Sequence, residues 1–279
     1  MISVLQLGSL DYTTGLRLQQ RLVGLRKEGR IGDVILLLEH TPVITLGRNA
    51  NTANVIASRE ELSRRGVELH ECDRGGDVTF HGPGQLVAYP IFDLRGLNSK
   101  DSKRKTMGAV EYVRSLEEVL IRTCADFGIP AKRIAGLTGV WTISDRVAPG
   151  LRPGLGGSQP QLQRRGEEAK IAALGVHISR GVTSHGLALN VNTDLDYFKL
   201  IVPCGITAKP VTSMARELGR NLSLQEVAHS VSRNFGFVFE SQILWLETLE
   251  DLLGTSVGVP MKPPAELRQL HGEEESQWA

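Results

Sequence analysis

The sequence predicts an α+β fold, a mixed and mostly antiparallel sheet with helices packed on one of its faces. Segments with strand patterns outnumber segments with helical patterns, and glycine-containing turns separate several strands, which is typical of antiparallel hairpins. A few long amphipathic segments supply helices that can cover the sheet. With 279 residues, the chain can bury such a core without disulfides or metal ions.

The composition excludes several classes of protein. Hydrophobic residues make up 41% and charged residues 23%, and the formal net charge is +1, so we expect no nucleic-acid and no membrane partner. Cys72, Cys124 and Cys204 are odd in number and far apart, which indicates free thiols in a reducing compartment. The amino terminus lacks the pattern of a secretory signal peptide. We therefore expect a cytoplasmic protein, or a mitochondrial one if the source is eukaryotic.

Strand and helix patterns alternate in the first part of the chain. Helical spacing of apolar residues over 11–29 predicts a helix, with Asp11 or Thr13 as its N-cap. Ser58 opens a capping box for a short helix that ends at Gly66. Apolar runs predict an edge strand over residues 2–7 and further strands over 34–38, 43–46, 67–72 and 86–92.

A long amphipathic helix is predicted over 106–127, and a short strand over 140–143. Cys124 falls in the apolar stripe of that helix, so we interpret it as core filler rather than a nucleophile. The members of the stripe are Val110, Val113, Leu116, Leu120 and Cys124.

Residues 147–168 interrupt the pattern. They are rich in Gly, Pro, Gln and Arg and have no apolar period, which indicates a flexible insertion that loops out harmlessly. Alternatively, the insertion gates a pocket or docks a partner through Arg152, Arg164 and Arg165.

The remaining segment predicts a hairpin over 170–191 with its turn at 179–181. In its second strand Leu187 and Leu189 alternate with Gly186 and Ala188, so a face of small residues leaves room for a long apolar ligand. Ser223 caps a last core helix, and one short helix follows residue 240. We expect a catalytic domain over 1–240 and a partly disordered C-terminal extension over 241–279.

The stretch RGGDVTFHGPGQLVAYP over 74–90 concentrates glycines between two predicted strands. Glycine permits positive φ and close approach of the backbone to a ligand or another chain. One interpretation is a substrate-lining loop that presents Arg74, His81 and Gln85. The alternative is a glycine-rich hairpin whose polar side chains are solvated.

This stretch resembles the motif of the LipB-type octanoyl-[acyl-carrier-protein]:protein N-octanoyltransferases. The resemblance extends to TPVITLGR over 41–48, TGVW over 138–141, KIAALGVHISRGVTSHGLALNV over 170–191, and PCGI over 203–206 followed by VTS. It covers roughly residues 1–240. The resemblance implies the biotin/lipoyl protein ligase catalytic-domain fold, in which a single sheet carries the acyl pocket.

The resemblance also implies a catalytic dyad of Cys204 and Lys170. Considered alone, a cysteine in a loop is more often not catalytic, and a lysine at the start of a strand is usually solvated. Pro203 and Gly205 suit a turn that exposes the thiol of Cys204. We interpret Cys72 as a non-catalytic strand residue.

The implied acyl and pantetheine pocket combines the glycine-rich stretch with both strands of the later hairpin. His81 and His185 are conceivable general bases, but we favour structural hydrogen bonding for both, because the dyad accounts for the proton transfers. The implied lining residues are Arg74, Gly75, Gly76, Asp77, Val78, Thr79, Phe80, His81, Ala173, Leu174, Gly175, Gly186, Leu187 and Ala188.

The activity implied is transfer of an octanoyl group from octanoyl-acyl carrier protein to a lysine of a lipoyl domain, without ATP and without a metal. The implied acceptors are the lipoyl domains of 2-oxoacid dehydrogenase E2 subunits and the glycine cleavage H protein. Three alternatives remain open: an ATP-dependent lipoate or biotin ligase of the same fold, a non-catalytic protein that binds acyl carrier or lipoyl domains, and a thioesterase.

Overall fold

The computed structural model describes residues 1–101, 105–144, 167–203 and 209–254. Cys204, most of the predicted insertion and the part of the predicted C-terminal extension after residue 254 lie outside these ranges. Within the described part, no helix is long and apolar enough to cross a membrane.

Two sheets form the framework of the fold. The strands are β1 (Ile2–Leu10), β2 (Asp33–His40), β3 (Val43–Leu46), β4 (Glu68–Glu71), β5 (Val78–His81), β6 (Gln85–Ile91), β7 (Ala131–Ile134), β8 (Leu137–Ser144), β9 (Glu167–Ser179), β10 (Val182–Asn190) and β11 (Ile243–Leu246). The large sheet has the order β11-β1-β2-β6-β10-β9-β8-β7, and the small sheet has the order β4-β3-β5. Among the described strands, parallel pairing is confined to β1 with β2, β1 with β11 and β3 with β4. The predicted mixed, mostly antiparallel α+β architecture is confirmed.

The helices are α1 (Tyr12–Lys27), α2 (Arg59–Arg64), α3 (Ala109–Asp126), α4 (Met214–Leu218), α5 (Leu224–Val238) and α6 (Leu249–Gly254). The predicted caps are confirmed: Asp11 accepts from the backbone N–H of Thr14 at 2.8 Å, and Ser58 and Ser223 cap α2 and α5. These side-chain oxygens satisfy N–H groups that have no partner within the helix.

Helices cover both faces of the large sheet, so the prediction of helices on one face is wrong. Apolar residues of α3 and α5 pack on one face with Ile35 and Leu37, whereas α1 packs on the other with Leu36 and Leu38. The physical reason lies in β2, whose continuous apolar run is buried on both sides and therefore needs two covers.

The structure also corrects the predicted edge strand. β1 lies inside the large sheet, because β11 pairs with it in parallel from Ile2 opposite Ile243 to Leu5 opposite Leu246. A four-residue apolar run such as β11 has no period that separates strand from helix.

Two predictions about single residues of α3 differ in outcome. Val110 is 76% exposed, so its assignment to the apolar stripe is wrong, because α3 starts only at Ala109 and its first two residues face solvent. Cys124 is fully buried in the core, and this burial raises the pKa of its thiol to about 12. The interpretation of Cys124 as core filler is confirmed.

The predicted insertion ends two residues too late. Glu167 and Glu168 belong to β9 and pair with Ser144 and Ile143 of β8. The carboxylate of Glu168 forms ion pairs with Lys132, at 2.6 Å, and with Lys209. Hydrogen bonds from these two ammonium groups, with that of Lys132 the larger effect, lower the pKa of Glu168 to about 2.

Candidate active site

The glycine-rich stretch is a buried junction between the two sheets rather than a solvated hairpin. Its middle forms β5, which the sequence pattern did not reveal and which pairs antiparallel with β3. Arg74, His81 and Gln85 are all buried. The alternative in which these polar side chains are solvated is therefore wrong.

Arg74 organises the loop from within. Its guanidinium donates to the carbonyl and hydroxyl oxygens of Thr45, at 2.7 and 2.9 Å, and to the carbonyl of Asp77 at 2.7 Å. These acceptors belong to Thr45 of β3 and to Asp77 of the loop, so one buried cation fixes the loop against β3. Arg74 thus contributes to the wall of the site, while most of its N–H donors form hydrogen bonds within the protein.

The glycines permit the close approach of two backbones. A Cβ at Gly47 would lie 2.4 Å from the carbonyl oxygen of Gly76, and one at Gly175 would lie 2.7 Å from that of Gly75. Gly75 also donates its N–H to the carbonyl of Val176 at 3.0 Å. A side chain at Gly175 would therefore push the loop away from β9, and one at Gly47 would push it away from the end of β3.

An apolar pocket lies between the two sheets. It contains about 480 Å³ of space, counting the part open to solvent. The prediction that a single sheet carries the pocket is therefore wrong, since both β5 of the small sheet and β9 and β10 of the large sheet line it. The predicted residues found in its wall are Arg74, Gly76, Asp77, Thr79, His81, Ala173, Leu174, Gly175, Gly186, Leu187 and Ala188.

Three of the predicted lining residues do not reach the pocket. Val78 and Phe80 point into the small core on the opposite face of β5, as the two-residue period of a strand requires. Gly75 contacts β9 through its backbone instead. Tyr12, Val87, Tyr89 and His185 line the pocket without having been predicted to do so. Tyr89 and His185 lay in the quoted motifs, whereas nothing in the sequence marked Tyr12.

Buried imidazoles next to the pocket are held by hydrogen bonds. His81 Nδ1 lies 2.7 Å from Gln85 Oε1, and the amide nitrogen of Gln85 donates to Asn190 at 2.9 Å. His40 Nε2 lies 2.6 Å from the hydroxyl of Tyr89. Burial lowers the pKa of His81 to about 3 and that of His40 to about 4, because an apolar surrounding disfavours the imidazolium. This geometry agrees with a structural interpretation of His81.

His185 is bound on two sides. Its Nε2 lies 2.7 Å from a carboxylate oxygen of Asp73, and its backbone N–H donates to the side chain of Gln19 at 2.8 Å. Burial lowers the pKa of His185, against the opposing effect of its hydrogen bond with Asp73. These contacts too agree with structural hydrogen bonding.

Lys170 lies in a second cavity that is adjacent to the apolar pocket. The two cavities share Thr79, Ala173 and Ala188. Lys170 is 7% exposed, and Pro203, the residue bonded to Cys204, lines the same cavity. Because Cys204 lies outside the described residues, the dyad itself stays a prediction.

The surroundings of Lys170 explain the TGVW segment. The Lys170 ammonium lies 5.3 Å from the centroid of the Trp141 ring, and a Cβ at Gly139 would lie 2.6 Å from Lys170 Cε. The pairing of β8 with β9 shifts register between Val140 and Trp141, an irregularity of the kind that redirects a side chain. The backbone of Lys170 bonds instead to Pro210 and Thr212, at 2.8 and 2.9 Å.

Among the described residues, no group of three or more His, Cys, Asp or Glu side chains is placed to hold a metal ion. Cys72 follows β4, where its thiol donates to the carbonyl of Leu46 at 3.4 Å.

A sequence profile of the lipoyl protein ligase A/B catalytic domain matches residues 11–236. The chain belongs to this family. Two similar proteins are named octanoyltransferase. That of Koribacter versatilis is 60% identical over 98% of this chain and 98% of its own length, and that of Acidobacterium capsulatum is 55% identical over 91% and 96%.

Solved structures of family members share the fold. The bi-partite lipoate protein ligase of Thermoplasma acidophilum has a TM-score of 0.62 at 17% identity, covering 96% of this chain and 89% of its own. A lipoate-protein ligase A bound with ATP also has a TM-score of 0.62, at 16% identity, covering 97% and 92%. At these identities the likeness concerns the fold alone, and it confirms the predicted ligase-type catalytic domain.

Proposed function

We propose that this chain is an octanoyltransferase that moves an octanoyl group from octanoyl-acyl carrier protein to the ε-amine of a lysine on lipoyl domains. The named relatives and the family support octanoyl transfer in protein lipoylation. The finer proposal is that the acyl group is carried between donor and acceptor as a thioester on Cys204, with Lys170 as the group that moves protons.

One observation carries this proposal: a buried lysine lines a cavity that adjoins an apolar pocket. Lysine is mostly exposed in proteins and is almost never fully buried unless it is paired, yet Lys170 is buried here. Thr79, Ala173 and Ala188 belong to both cavities, so an acyl chain in the apolar pocket can place its carbonyl near Lys170. Pro203, which precedes Cys204, and Val211 of the VTS segment line the Lys170 cavity as well.

In the first half-reaction Lys170 accepts the proton that the Cys204 thiol releases. An ordinary cysteine has a pKa of about 8.5 and is only a few per cent ionised near neutrality, so a nearby base or ammonium raises the thiolate fraction. The thiolate attacks the thioester carbonyl, the bond between carbonyl carbon and pantetheine sulfur breaks, and the Lys170 ammonium returns a proton to the leaving thiolate.

In the second half-reaction the acceptor amine attacks the carbonyl of octanoyl-Cys204. Lys170 takes the proton that the amine loses, the carbon–sulfur bond to Cys204 breaks, and the thiol is restored. The products are an amide and the starting protein. Because a thioester is converted into an amide, the proposal requires neither ATP nor a metal, and the acceptors are the lipoyl domains of E2 subunits and the glycine cleavage H protein.

Mass spectrometry of the protein after incubation with octanoyl-acyl carrier protein, without ATP, tests the proposal. We expect an octanoyl adduct on the peptide that contains Cys204, and loss of this adduct with formation of octanoylated product when an apo lipoyl domain is added. The variant Cys204→Ser should form no thioester, and Lys170→Ala should slow its formation by at least a hundredfold.

Lys209→Ala is the matched control for Lys170→Ala. The Lys209 ammonium also lies near the Trp141 ring, at 5.8 Å, but it pairs with Glu168 outside the cavity. We expect this variant to form the adduct at the rate of the unmodified protein. Labelling of the acceptor only in the presence of ATP and free octanoic acid would identify a ligase, and release of free acid by water would identify a thioesterase.

A further inference from the structure

Three cavities follow one another along the hairpin of β9 and β10. The Lys170 cavity is lined by Ala172 and Asn190, and the apolar pocket by Gly175 and Gly186 further along the strands. A third cavity of about 690 Å³, counting space open to solvent, lies beyond the pocket. Its wall is formed by α1 and by the distal end of the hairpin, through residues such as His177, Ser179 and Ser184.

His185 separates the apolar pocket from the third cavity, because it is the one residue that lines both among those described. It is 3% exposed. Its neighbour Ser184 lines only the third cavity, whereas Gly186 lines only the pocket. The imidazole therefore stands as a partition between two spaces.

Contacts on several sides hold His185 in this position. His185 has φ of +55°, a left-handed conformation that is uncommon for residues other than glycine. Its backbone N–H donates to the side chain of Gln19 in α1, and its ring forms a hydrogen bond with Asp73. The ring of Tyr89 lies edge-on to the imidazole, with 6.4 Å between the ring centroids. In a strand with strict alternation His185 would point away from Ser184 and Gly186, so the left-handed φ brings its ring to their side of the sheet.

We propose that His185 sets the length of the acyl chain that the pocket accepts, by closing the end opposite Lys170. This rests on the proposed function, which puts the thioester carbonyl at the Lys170 cavity. Val176 pairs with His185, four residues beyond Ala172 in β9, and at about 3.3 Å per residue this is roughly 13 Å. An extended octanoyl chain, with seven carbon–carbon bonds of about 1.5 Å in a zigzag, spans roughly 9 Å and brings its terminal methyl group against the imidazole.

The third cavity offers space for a longer chain once the partition is removed. Leu16 and Val23 of α1 form the apolar part of its wall, beside polar residues such as Gln20. Gly24 also lines it, and a Cβ at Gly24 would meet no atom within 4 Å. A chain that passes the position of the imidazole would therefore continue into existing space instead of displacing packed side chains.

The test is a competition between octanoyl-, decanoyl- and dodecanoyl-acyl carrier protein, with the acyl adducts and lipoyl-domain products quantified by mass spectrometry. In His185→Gly, a residue that adopts φ of +55° without strain, we expect the decanoyl-to-octanoyl ratio to rise about tenfold, from the burial of two further methylene groups. His185→Asn, which also tolerates this φ, should give a smaller rise. An unchanged ratio in a variant that still transfers octanoate overturns the proposal.

Filling the third cavity provides the matched control. Gly24→Leu alone should leave the octanoyl preference unchanged, because the chain does not enter that cavity while His185 is present. In combination with His185→Gly, it should reverse the gain for longer chains. A longer-chain preference that persists in the double variant would show that the chain leaves the pocket by another route, and the partition role would be abandoned.

Photolabelling of the unmodified protein is a second test, and it does not depend on whether a variant folds. An eight-carbon acyl group with a terminal diazirine, delivered on acyl carrier protein, should label the peptide that contains His185 after irradiation. Labelling of other pocket peptides without this one overturns the proposal. If the unmodified protein transfers no acyl group at all, the proposed function fails; if it transfers octanoate with the label elsewhere, only the role of His185 fails.

Discussion

Gly139 shows how one residue without a side chain fixes the position of another with a long one. Its φ is +136°, and a Cβ there would overlap Lys170 Cε at 2.6 Å and approach the carbonyl oxygen of Ala172 at 3.0 Å. The glycine of the TGVW segment thus provides the volume in which the Lys170 stem lies, and Trp141 covers its ammonium.

We expect Gly139→Ala to reduce octanoyl transfer by at least tenfold, because the new methyl group must displace the Lys170 side chain. Gly136→Ala is the control, since Gly136 also has positive φ, at +80°, but a Cβ there meets no atom within 4 Å. Both variants should lose about 1–2 kcal/mol of unfolding free energy through backbone strain. Equal activity losses in the two variants, measured beside urea unfolding curves, would contradict a specific effect on Lys170.

The buried imidazole of His81 makes stability depend on pH. Its pKa is about 3 in the folded protein and about 6.5 in the unfolded protein. Between these pH values the imidazole is protonated in the unfolded state and neutral in the folded state. The stabilisation is fully present above pH 6.5 and is lost as the pH falls from there toward 3. By pH 5 this single group should cost up to about 2 kcal/mol.

Urea unfolding of the unmodified protein and of His81→Gln at pH 7 and pH 5 measures this contribution. Other groups titrate over the same range, but they are common to both proteins and cancel in the comparison. We expect the drop in unfolding free energy between the two pH values to be smaller in the variant. An equal drop would mean that His81 is protonated in the folded state.

At the scale of elements, α3 reaches across to the strand that carries Gly139. Glu117 is fully buried on α3, where its carboxylate accepts from the backbone N–H of Gly139 at 3.2 Å. Arg114 and Arg133 donate to the same carboxylate, at 2.7 and 3.1 Å. A buried carboxylate with three donors ties the helix to β8.

Removing this carboxylate deprives two guanidinium groups and one buried N–H of a hydrogen-bond acceptor. We expect Glu117→Ala to lower the free energy of unfolding by about 2 kcal/mol. This loss is smaller than for an ion pair with both partners buried, because Arg114 and Arg133 are partly exposed. Glu118→Ala, which removes a partly exposed partner of Arg133 on the same helix, should cost less than about 1 kcal/mol. Thermal or urea unfolding of the two variants decides between a buried anchor and an ordinary surface pair.

Local periodicity predicts those helices and strands whose structure is determined by their own residues. The long helices and the β9–β10 hairpin follow from spacing and caps within one segment, and all are confirmed. β5 and β11 escape prediction because each has four residues and depends on a partner far along the chain, such as Ile2 for Ile243. Short strands of this kind are specified by their neighbours in space more than by their own composition.

For the whole molecule, the site lies at a junction that no single segment encodes. The pocket exists because Gly75 of one segment meets Gly175 of another, which brings the small sheet against the large one. The sequence marks both glycines as candidates through the resemblance, yet it cannot show that they face each other. For the same reason, Tyr12 enters the pocket wall without any local signal.

The last prediction concerns the segment between β8 and β9. Ser144 pairs with Glu167, so the two strands are already adjacent where the described residues stop and resume. Replacing residues 145–166 by Asn-Gly, the dipeptide that suits a two-residue hairpin turn, should therefore close a regular hairpin. Because the backbone of Lys170 is also held by hydrogen bonds with Pro210 and Thr212, we expect octanoyl transfer to remain within about threefold of that of the full chain.

Transfer assays with saturating and limiting lipoyl domain separate the alternatives for this segment. A raised KM for the lipoyl domain at unchanged kcat would assign the segment a docking role, for which Arg152, Arg164 and Arg165 are the candidate contacts. A loss of kcat in a protein that unfolds at the same urea concentration as the full chain would assign it a role in gating the pocket. Unchanged values of both would leave the pairing of β8 with β9 as the only feature of this region that the reaction requires.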